Sequence, residues 1–433
     1  MRKMKDSGIE WIGEIPESWS ICKLKNVATI ITGNTPSKSN GDCYYADEGM
    51  MWVKPDNLIG STPITETNEY LSSEGIEMAR VVSPHTPLVC CIGSIGKIGI
   101  SEQSVAFNQQ INAVDYNESV DRRYGLYYLM SQEEQHKMRA NGNVLLILNS
   151  EQQGLIPFLL PPREVQTDIA LYLDKKCAEI DALIAAKERT NALLRERRQS
   201  IIYEAVTKGL DPTVPMKDSG VEWIGEIPES WITTRIKYTS TLKGRIGWQG
   251  LKSDEYIDEG PFLITGVDFV NGRIDWENCA HISNERYEEA PEIHIFEGDL
   301  LITKDGTIGK LAIAEICPNE VSLNSGVLLI RNNERGEYLN KYLYYVLQSD
   351  VFWKWFKLSQ NGNSTIIHLY QEQFSNFRYA LPSIKEQQVI VDFLDNGCFE
   401  LESLISANET TIEKLKEYRQ SVIYEAVTGK IEV

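Results

Sequence analysis

Two long stretches of the chain carry apolar residues at helical spacing. From Glu164 to about Thr207, and from Lys385 to about Thr428, the sequence contains no proline, and Gly397 is its only glycine. Apolar positions recur there at steps of three and four residues, the period of one face of an α-helix. In the first stretch they are Ile169, Leu173, Cys177, Ile180, Ile184, Leu194 and Ile201. In the second they are Ile390, Leu394, Cys398, Leu401, Ile405, Ile412, Leu415 and Val422. All of the second set except Ile412 lie 221 residues after a member of the first set.

Each stretch predicts one helix of about 40 residues, or roughly 60 Å at 1.5 Å per residue. Helical patterns of this length without internal caps are typical of coiled coils, and two stripes in one chain can bury each other as an antiparallel pair. Pro161 and Pro382 precede the helices and Gly209 and Gly429 follow them, as expected for helix starts and ends. The alternative is that each helix packs on its own domain.

The segments before the helices, roughly 20–158 and 232–380, have a different pattern. They are rich in short β-like runs separated by turn signals such as Asn271-Gly272. One helix-like stretch interrupts each segment, at Tyr124–Arg139 and at Tyr338–Lys357. Both segments are therefore predicted to be α+β bodies. The predicted strands include Val27–Ile31, Gly298–Thr303 and Gly326–Ile330.

The chain repeats itself. Residues 4–19 read MKDSGIEWIGEIPESW and residues 216–231 read MKDSGVEWIGEIPESW, so only Ile9 and Val221 differ. RQSIIYEAVT from Arg198 likewise recurs as RQSVIYEAVT from Arg419. Such self-similarity predicts one structural unit used twice. If the halves are related by a pseudo-twofold axis, the C-terminus is expected close to the N-terminus.

Between the matched connectors the two bodies diverge but keep a faint common frame. Gly93–Lys97 matches Gly306–Lys310, Asn108 lies near the position of Asn324, and Asn141-Gly-Asn143 recurs as Asn361-Gly-Asn363. A similar scaffold with dissimilar contents is the pattern expected of two readers with different targets. Neutral drift of duplicated domains is the alternative, although drift alone should not leave the connectors so nearly identical.

Composition and charge narrow the class of protein. The 433 residues are 42% hydrophobic and 24% charged, with a formal net charge of −19, which argues against a sequence-blind nucleic-acid coat. Each body, counted over 20–160 and 232–381, has a net charge of about −5. The eight cysteines show no metal-ligand or disulfide spacing, and no signal peptide or membrane span is evident, so we expect a cytoplasmic protein.

No catalytic motif is evident. Gly93–Lys97 and Gly306–Lys310 lack the earlier glycine and the following Ser/Thr of a phosphate-binding loop, so both are predicted to close hairpins. The run Phe352–Lys357 could stack on bases, but it is more typical of a helix end with its aromatic side chains in the core. A Ser/His/Asp triad has no support in the sequence.

The motifs together resemble the specificity subunit of type I restriction–modification systems. They are the WIGEIPESW opener at 11–19 and 223–231, GNTPS at 33–37, WVKPD at 52–56, GDLLITKDGTIGK at 298–310, Leu-Pro before each long helix, and the RQSxIYEAVT helix ends. The resemblance covers essentially the whole chain, in order and in duplicate. Each motif is weak alone, but the set is specific.

The resemblance implies an α+β fold with a pseudo-twofold internal repeat, in which two similar target-recognition domains are joined by two long helices pairing as an antiparallel coiled coil. The corresponding division is 1–158 for the first recognition domain, 159–208 for the first spacer helix, 209–380 for the second recognition domain and 381–433 for the second spacer helix.

The resemblance also implies a function. Each domain would read one half of a bipartite double-stranded DNA target, and the helix pair would set the spacer and dock two modification subunits. Two restriction subunits would add translocation and cleavage. The chain itself would be non-catalytic and without a cofactor, since S-adenosylmethionine, ATP and Mg²⁺ are expected in the partner subunits. A protein-binding adaptor without DNA readout is the alternative, which the acidic charge favours and the motifs oppose.

Direct readout of bases needs Arg or Lys for guanine and Asn or Gln for adenine. Each candidate could instead be a turn or strand-end residue that satisfies backbone groups. The candidates in the first body are Lys97, Asn108, Gln109, Gln110 and Asn143; those in the second are Arg245, Trp248, Lys304, Lys310, Asn324, Ser325 and Asn363. The apolar stripe supplies the residues expected to form the helix pair and bind partners.

Overall fold

The computed structural model describes residues 3–37, 42–142, 145–245, 251–333, 335–360 and 368–433. They form two compact units, Met1–Glu188 with Glu409–Val433 and Arg189–Asn408. Each unit therefore holds one body together with a part of both long helices.

The first half of the chain begins with short strands and ends in a long helix. Its strands are β1 (Met4–Asp6), β2 (Glu14–Pro16), β3 (Ser20–Lys23), β4 (Ala28–Thr32), β5 (Tyr45–Ala46), β6 (Met50–Val53), β7 (Tyr70–Leu71), β8 (Val81–Val82), β9 (Leu88–Cys90), β10 (Ile98–Gly99), β11 (Val105–Phe107), β12 (Ile111–Tyr116) and β13 (Pro157–Leu160). Its helices are α1 (Ser73–Met78), α2 (Arg122–Met130), α3 (Glu133–Arg139), α4 (Ser150–Gly154) and α5 (Arg163–Lys208), with 3-10 turns at Leu24–Asn26, Asp42–Tyr44 and Pro55–Asn57.

The second half repeats this order. Its strands are β14 (Met216–Asp218), β15 (Glu226–Pro228), β16 (Ile232–Arg235), β17 (Ser240–Lys243), β18 (Ile257–Ile264), β19 (Phe269–Val270), β20 (Arg273–Ile274), β21 (Ala280–His281), β22 (Leu300–Thr303), β23 (Leu311–Ile313), β24 (Val321–Leu323), β25 (Val327–Asn332) and β26 (Arg378–Leu381). Its helices are α6 (Ile236–Thr239), α7 (Asn284–Glu288), α8 (Asn340–Gln348), α9 (Asp350–Ser359), α10 (Gln371–Ser375) and α11 (Ile384–Val427), with 3-10 turns at Ser253–Glu255 and Pro291–Ile293.

The predicted α+β class is confirmed in both bodies. The first contains an antiparallel sheet in the order β10-β9-β12-β4 and a second sheet in the order β5-β7-β6-β11-β8, in which β11 runs parallel to β6. The second contains the corresponding sheets β17-β25-β22-β23-β20-β19 and β21-β18-β24, in which β24 runs parallel to β18. The short parallel pair places the ends of two strands at the same edge of each body.

The two glycine–lysine segments close hairpins, as predicted. Strands β9 and β10 pair antiparallel on either side of Gly93–Lys97, and β22 and β23 pair in the same way around Gly306–Lys310. Gly96 and Gly309 have φ values of +86° and +82°, a conformation that a residue with a Cβ rarely adopts. Both turns therefore require glycine for their shape.

One prediction about the bodies is wrong in detail, because each expected single helix is two helices. The stretch Tyr124–Arg139 is divided between α2 and α3, and Tyr338–Lys357 is divided between α8 and α9. Ser349 ends α8 and caps α9, since its Oγ accepts a hydrogen bond from the backbone N–H of Val351. The aromatic run belongs to α9, where Phe352, Trp355 and Phe356 are buried and Trp353 is 41% exposed.

Both long helices begin and end within one residue of the apolar stretches 164–207 and 385–428. A glutamine in the first turn of each fixes its start, because the Nε2 of Gln166 donates to the Pro161 carbonyl at 2.9 Å and that of Gln387 donates to the Pro382 carbonyl at 3.0 Å. Gly209 follows α5 with a φ of +73°, as helix-ending glycines do.

Within the first unit, the start of α5 lies antiparallel to the end of α11, and both pack on the body. Ile169, Leu173 and Cys177 share one apolar core with Val422 and with aromatic side chains of the body. The Tyr124 hydroxyl lies 3.4 Å from the Val427 carbonyl, and Arg419 pairs with Asp181 at 2.5 Å.

The second unit repeats these contacts at equivalent positions. The Tyr342 hydroxyl lies 3.4 Å from the Val206 carbonyl, and Arg198 pairs with Glu402 at 3.0 Å. The predicted antiparallel pair is thus present in each unit. The alternative, packing on the body, is also realised, because the same apolar stripe serves both contacts.

The two ends of the chain meet inside the first unit, as the repeat predicts. The Tyr424 hydroxyl hydrogen-bonds to the Trp11 carbonyl at 2.5 Å, and Gly429 lies directly against Pro16 and Trp19. No described helix is both long and apolar enough to cross a membrane.

Candidate nucleic-acid interface

Loops that follow neighbouring strands meet at one edge of the first body. We call the segments Gly33–Thr35 and Asn108–Gln110, with Cys91, the first loop edge. The backbone N–H of Asn34 donates to the Phe107 carbonyl at 3.2 Å, and that of Asn108 donates to the Val53 carbonyl at 3.1 Å. An added Cβ at Gly33 would lie 2.1 Å from the Asn108 carbonyl oxygen, so only glycine fits this crossing.

The three polar residues of Asn108–Gln110 have different environments. Asn108 is 5% exposed, and its side chain is bonded to the backbone N–H of Gln110 at 3.1 Å and to the Gln110 side chain at 3.0 Å. Asn108 therefore has the alternative role predicted from the sequence, that of a turn residue whose side chain satisfies a backbone group. Gln109 is exposed and hydrogen-bonds to the Thr35 hydroxyl. Gln109 and Gln110 are therefore the amides of this edge that DNA could contact.

Lys97 lies apart from this edge. Its side chain is exposed directly before β10 and lines a cavity of about 590 Å³ together with Glu133, Arg419 and Tyr424. Gly96 beside it packs against Glu133 of α3. The structure thus places Lys97 next to the helix pair and not beside Gln109 and Gln110.

The second body forms an equivalent second loop edge, which consists of Gly244-Arg245, Thr265–Asp268, Lys304-Asp305, Asn324–Gly326 and His368. The backbone N–H of Lys304 donates to the Gly326 carbonyl at 2.9 Å, and that of Asn324 donates to the Ile264 carbonyl at 2.9 Å. Lys310 reaches the same edge through its Nζ, which lies 3.4 Å from the Gly266 carbonyl. Lys304, Lys310, Asn324 and Ser325 are therefore brought together.

Asn324 holds this edge in shape. Its Nδ2 donates to the Leu251 carbonyl at 3.0 Å and to the Tyr256 hydroxyl at 3.3 Å, while its Oδ1 accepts from the backbone N–H groups of Leu251 and Ser325. A side chain with all of these partners has little capacity left for a base. The half-buried Lys304 and the exposed Lys310 are the lysines of the edge that solvent reaches.

Arg245 is placed inside the second body. It is 2% exposed, its Nε donates to the Leu323 carbonyl at 2.9 Å, and its Nη2 donates to the Ser322 hydroxyl at 3.0 Å. Burial, with Arg286 nearby, lowers the pKa of its guanidinium. Arg245, which follows β17, is thus held against β24 by these hydrogen bonds. The position suits a structural role better than contact with a base. Asn143, Trp248 and Asn363 lie outside the described residues.

Comparison with protein families identifies the family of the chain that carries these two loop edges. The sequence matches the family described as type I restriction modification DNA specificity domain twice, over residues 16–192 and 230–417. The chain belongs to this specificity family. Its function is therefore recognition of a DNA target sequence in a type I restriction–modification system, and its two bodies are the recognition domains.

Relatives in the specificity family extend over the whole chain. The type I restriction enzyme MjaVIII specificity subunit of Methanocaldococcus jannaschii is 22% identical over 97% of this chain and 94% of its own length. The type I restriction enzyme EcoBI specificity subunit of Escherichia coli is 22% identical over 99% of this chain and 90% of its own length. A solved structure from a study of complex assembly and conformational transition of the type I R-M system superposes with a TM-score of 0.70 at 16% identity, covering 96% of this chain and 99% of that one, which shows the fold.

The predicted helix-pair residues of this specificity subunit differ in burial along each helix. Those in the first turns of each helix lie in the apolar cores of the two units, and burial varies along the remainder of each helix. Buried positions are Ile169, Leu173, Ile180, Ile390, Leu394, Ile405 and Val422, and half-buried positions are Ile184, Leu194, Ile201, Leu401 and Leu415.

Asn191 is a member of the helix interface that the apolar pattern missed. It is 3% exposed, it accepts a hydrogen bond from the Asn408 side chain at 2.8 Å, and its Nδ2 lies 3.5 Å from the Ile405 carbonyl. Position 412, at an offset of 221 residues, is isoleucine. A signal was present in the sequence, because Asn191 is the polar counterpart of Ile412 in the repeated stripe, and buried asparagines of this kind specify helix register.

His368 is the second residue that sequence reasoning missed. Its Nδ1 lies 2.5 Å from the Asp305 carboxylate, on the same loop edge as Lys304. Both side chains are about 40% exposed. No local motif marks this pair, because 63 residues separate its members. Among the described residues no hydroxyl or thiol hydrogen-bonds to the Nε2 of this ring.

Metal and thiol chemistry have no geometric support in the described ranges. No group of three or more His, Cys, Asp or Glu side chains there could hold a metal ion. Cys91, the cysteine of the first loop edge, is 2% exposed, and burial raises the pKa of its thiol to about 12. A thiol with that pKa is protonated at neutral pH and is a poor nucleophile.

Proposed function

We propose that each recognition domain reads one half of a bipartite double-stranded DNA target and that the helix pair fixes the number of unread base pairs between the halves. The observation that carries the proposal is the repetition of one scaffold with different polar contents. The first loop edge offers the amides Gln109 and Gln110, whereas the second offers the cations Lys304 and Lys310 with His368. Amides suit adenine and lysines suit guanine, so the half-sites should differ.

A rigid connection between two readers raises affinity without new contacts. Binding of one domain presents the other to DNA at a high effective concentration, provided the spacing matches. Half-sites one helical turn apart, about 34 Å, would present the same face of the duplex to both domains. Two short, weakly bound half-sites then act as one specific target, while a mismatched spacer forfeits the gain.

The charge of the chain supports a shared clamp on DNA. Each domain has a net charge of about −5, and phosphate contacts require cations. We propose that two modification subunits complete the clamp and that they carry S-adenosylmethionine. Two restriction subunits would supply the ATP- and Mg²⁺-dependent steps. This chain would then recognise the target sequence and hold the other subunits together, without an active site of its own.

The helices offer apolar side chains for docking the modification subunits. In the second unit, Val389, Phe393 and Leu404 are 58%, 47% and 55% exposed. They follow one another at steps of four and eleven residues, close to one and three turns of an α-helix, so they lie on one face of α11. Exposed apolar stripes of this kind mark protein interaction sites.

The test is co-purification of this chain with its modification subunit, followed by mapping of N6-methyladenine across genomic DNA. The expected result is a split motif of two short half-sites with a fixed gap. Exchange of residues 20–158 for the equivalent domain of another family member should change one half-site and leave the other and the gap intact.

Two results would contradict the proposal. One is a continuous methylated motif, and the other is methylation that does not change when this chain is removed. A domain exchange that alters the bound protein partner while the DNA motif stays the same would instead favour the adaptor function.

A further inference from the structure

Three consecutive apolar side chains are exposed beside the first loop edge. Leu145, Leu146 and Ile147 are 53%, 47% and 43% exposed. Single exposed apolar residues are common on soluble proteins, but a run of three is a departure that normally has a function. From Asn141 to Asn149 the sequence contains no charged residue, so this segment offers no cationic side chain to DNA phosphates.

The run is held in place by backbone hydrogen bonds. Asn141 and Ile147 exchange two of them, at 3.0 and 2.9 Å, and Ile147 also bridges to Ile92. The next residue, Leu148, is fully buried in a small apolar cluster with Cys91 and Ile95. The anchor is therefore buried while the preceding side chains face solvent.

A chain of hydrogen bonds joins the apolar run to the amides of the first loop edge. The backbone N–H of Leu148 donates to the Cys91 carbonyl at 2.9 Å, and the backbone N–H of Cys91 donates to the Gln110 carbonyl at 2.7 Å. Gln110 uses its Oε1 to accept from Asn108, and its Nε2 makes no hydrogen bond with a described residue. Exposed apolar groups and available amides therefore lie one strand apart.

We propose that Leu145–Ile147 and the amides of Gln109 and Gln110 form one composite reader of A·T base pairs in the major groove. In this groove an A·T pair presents adenine N6 and N7 beside the C5-methyl of thymine, which is the one apolar group on any major-groove edge. The amides bind the adenine and the apolar run covers the thymine methyl. This inference rests on the proposed function, because it assigns base contacts to the first recognition domain.

The test removes only the methyl group. The complex of this chain with its modification subunits is titrated with duplexes of the mapped target in which each thymine of the first half-site is replaced by deoxyuridine. That half-site is assigned by the exchange of residues 20–158. Because the contact buries about one methyl group, we expect binding to weaken about three- to tenfold at one or more positions.

A double variant, Leu145→Ser with Leu146→Ser, should bind the thymine target more weakly and lose its preference for thymine over uracil. Ile59→Ser is the matched control, because Ile59 is 54% exposed in the same unit and outside the edge. The control should keep the thymine preference. Uracil in the second half-site should affect both variants and wild type equally.

Several outcomes would overturn the inference. They are a first half-site made only of G·C pairs, wild-type binding that is indifferent to uracil at every thymine, and a double variant that keeps the wild-type thymine preference. The uracil series on wild type gives its answer whether or not the variant folds. A complex with no sequence preference would overturn the proposed function itself, and this result is distinguishable from specific binding that ignores the methyl group.

Discussion

Individual side chains at the two loop edges divide into those that hold the backbone and those that face solvent. Asn108 and Asn324 occupy equivalent places, and both use their amides on neighbouring loop atoms. Gln109, Lys304 and Lys310 keep polar groups accessible. Substitution of the first group should damage the shape of an edge, whereas substitution of the second should change which DNA is bound.

Lys304→Ala should weaken recognition of one half-site only. A lysine that contacts a guanine contributes about 1–3 kcal/mol of discrimination, so methylation should slow by roughly five- to 150-fold on the natural target. Tolerance of base changes should rise at one position of the second half-site. The measurement is methylation of duplexes with single base changes, with Lys357→Ala, an exposed lysine of α9, as the control. Equal loss at both half-sites would contradict the assignment.

His136 should make the first recognition domain sensitive to acid. It is fully buried, neither ring nitrogen has a hydrogen-bond partner in the described structure, and burial lowers the pKa of its imidazole to about 4. The unfolded chain binds this proton near pH 6.5, so stability is full above that pH and falls as the pH drops towards 4. Between pH 7 and pH 5 the loss due to this residue is about 2 kcal/mol.

The measurement is urea unfolding of wild type and of His136→Leu at both pH values. The variant should lose less stability on acidification, because it removes the buried titrating group. His281→Leu serves as a control, since His281 is partly exposed and bonded to the Gly260 carbonyl. Equal acid losses in wild type and in His136→Leu would show that His136 does not cause the sensitivity.

At the scale of helices and strands, apolar burial should dominate over the ion pairs of the helix interface. Leu173 is fully buried, and its replacement by alanine should cost about 2–5 kcal/mol. The Arg419–Asp181 pair is about one-third exposed on both sides, so Arg419→Ala should cost less than about 1 kcal/mol. Urea unfolding of the two variants decides the order, and a larger loss for Arg419→Ala would show that the ion pair governs the interface.

The exposed face of α11 should matter for assembly and not for folding. Replacing Val389, Phe393 and Leu404 by serine should reduce co-purification of the modification subunit and leave the free energy of unfolding within about 1.5 kcal/mol of wild type. Leu171→Ser is the matched control on α5, where Leu171 is 63% exposed. Normal assembly of the triple variant would place the docking surface elsewhere.

The sequence predicted these elements unevenly, for physical reasons. The long helices were predictable because a stripe repeated over about 40 residues leaves little ambiguity. The break between α8 and α9 was not, because Ser349 is compatible with a helix interior until its hydroxyl is seen to cap the next one. The composition of the loop edges was predictable only in part, since the contact of His368 with Asp305 depends on tertiary folding.

At the scale of the whole chain, the repeat predicts that each compact unit combines distant parts of the sequence. The first unit joins Met1–Glu188 to Glu409–Val433, and equivalent tyrosines, Tyr124 and Tyr342, approach carbonyls at equivalent ends of the two long helices. A body therefore depends on a helix end that belongs to the other repeat. Truncation after residue 408 should accordingly leave the first body without part of its core.

The same connectivity gives the spacer hypothesis its sharpest test. Seven residues inserted after Glu188 in α5 and seven after Asn408 in α11 lengthen both helices at the junction of the two units by about 10 Å. A heptad nearly preserves the facing stripe, because seven residues are close to two turns. At 3.4 Å per base pair, the gap of the methylated motif should grow by about one to three base pairs, with three as the limit for a helix axis parallel to DNA.

An insertion in α5 alone should instead disrupt assembly, because it shifts the register of one helix against the other. If the paired insertion left an active complex with an unchanged gap, the helices would not set the distance between the half-sites.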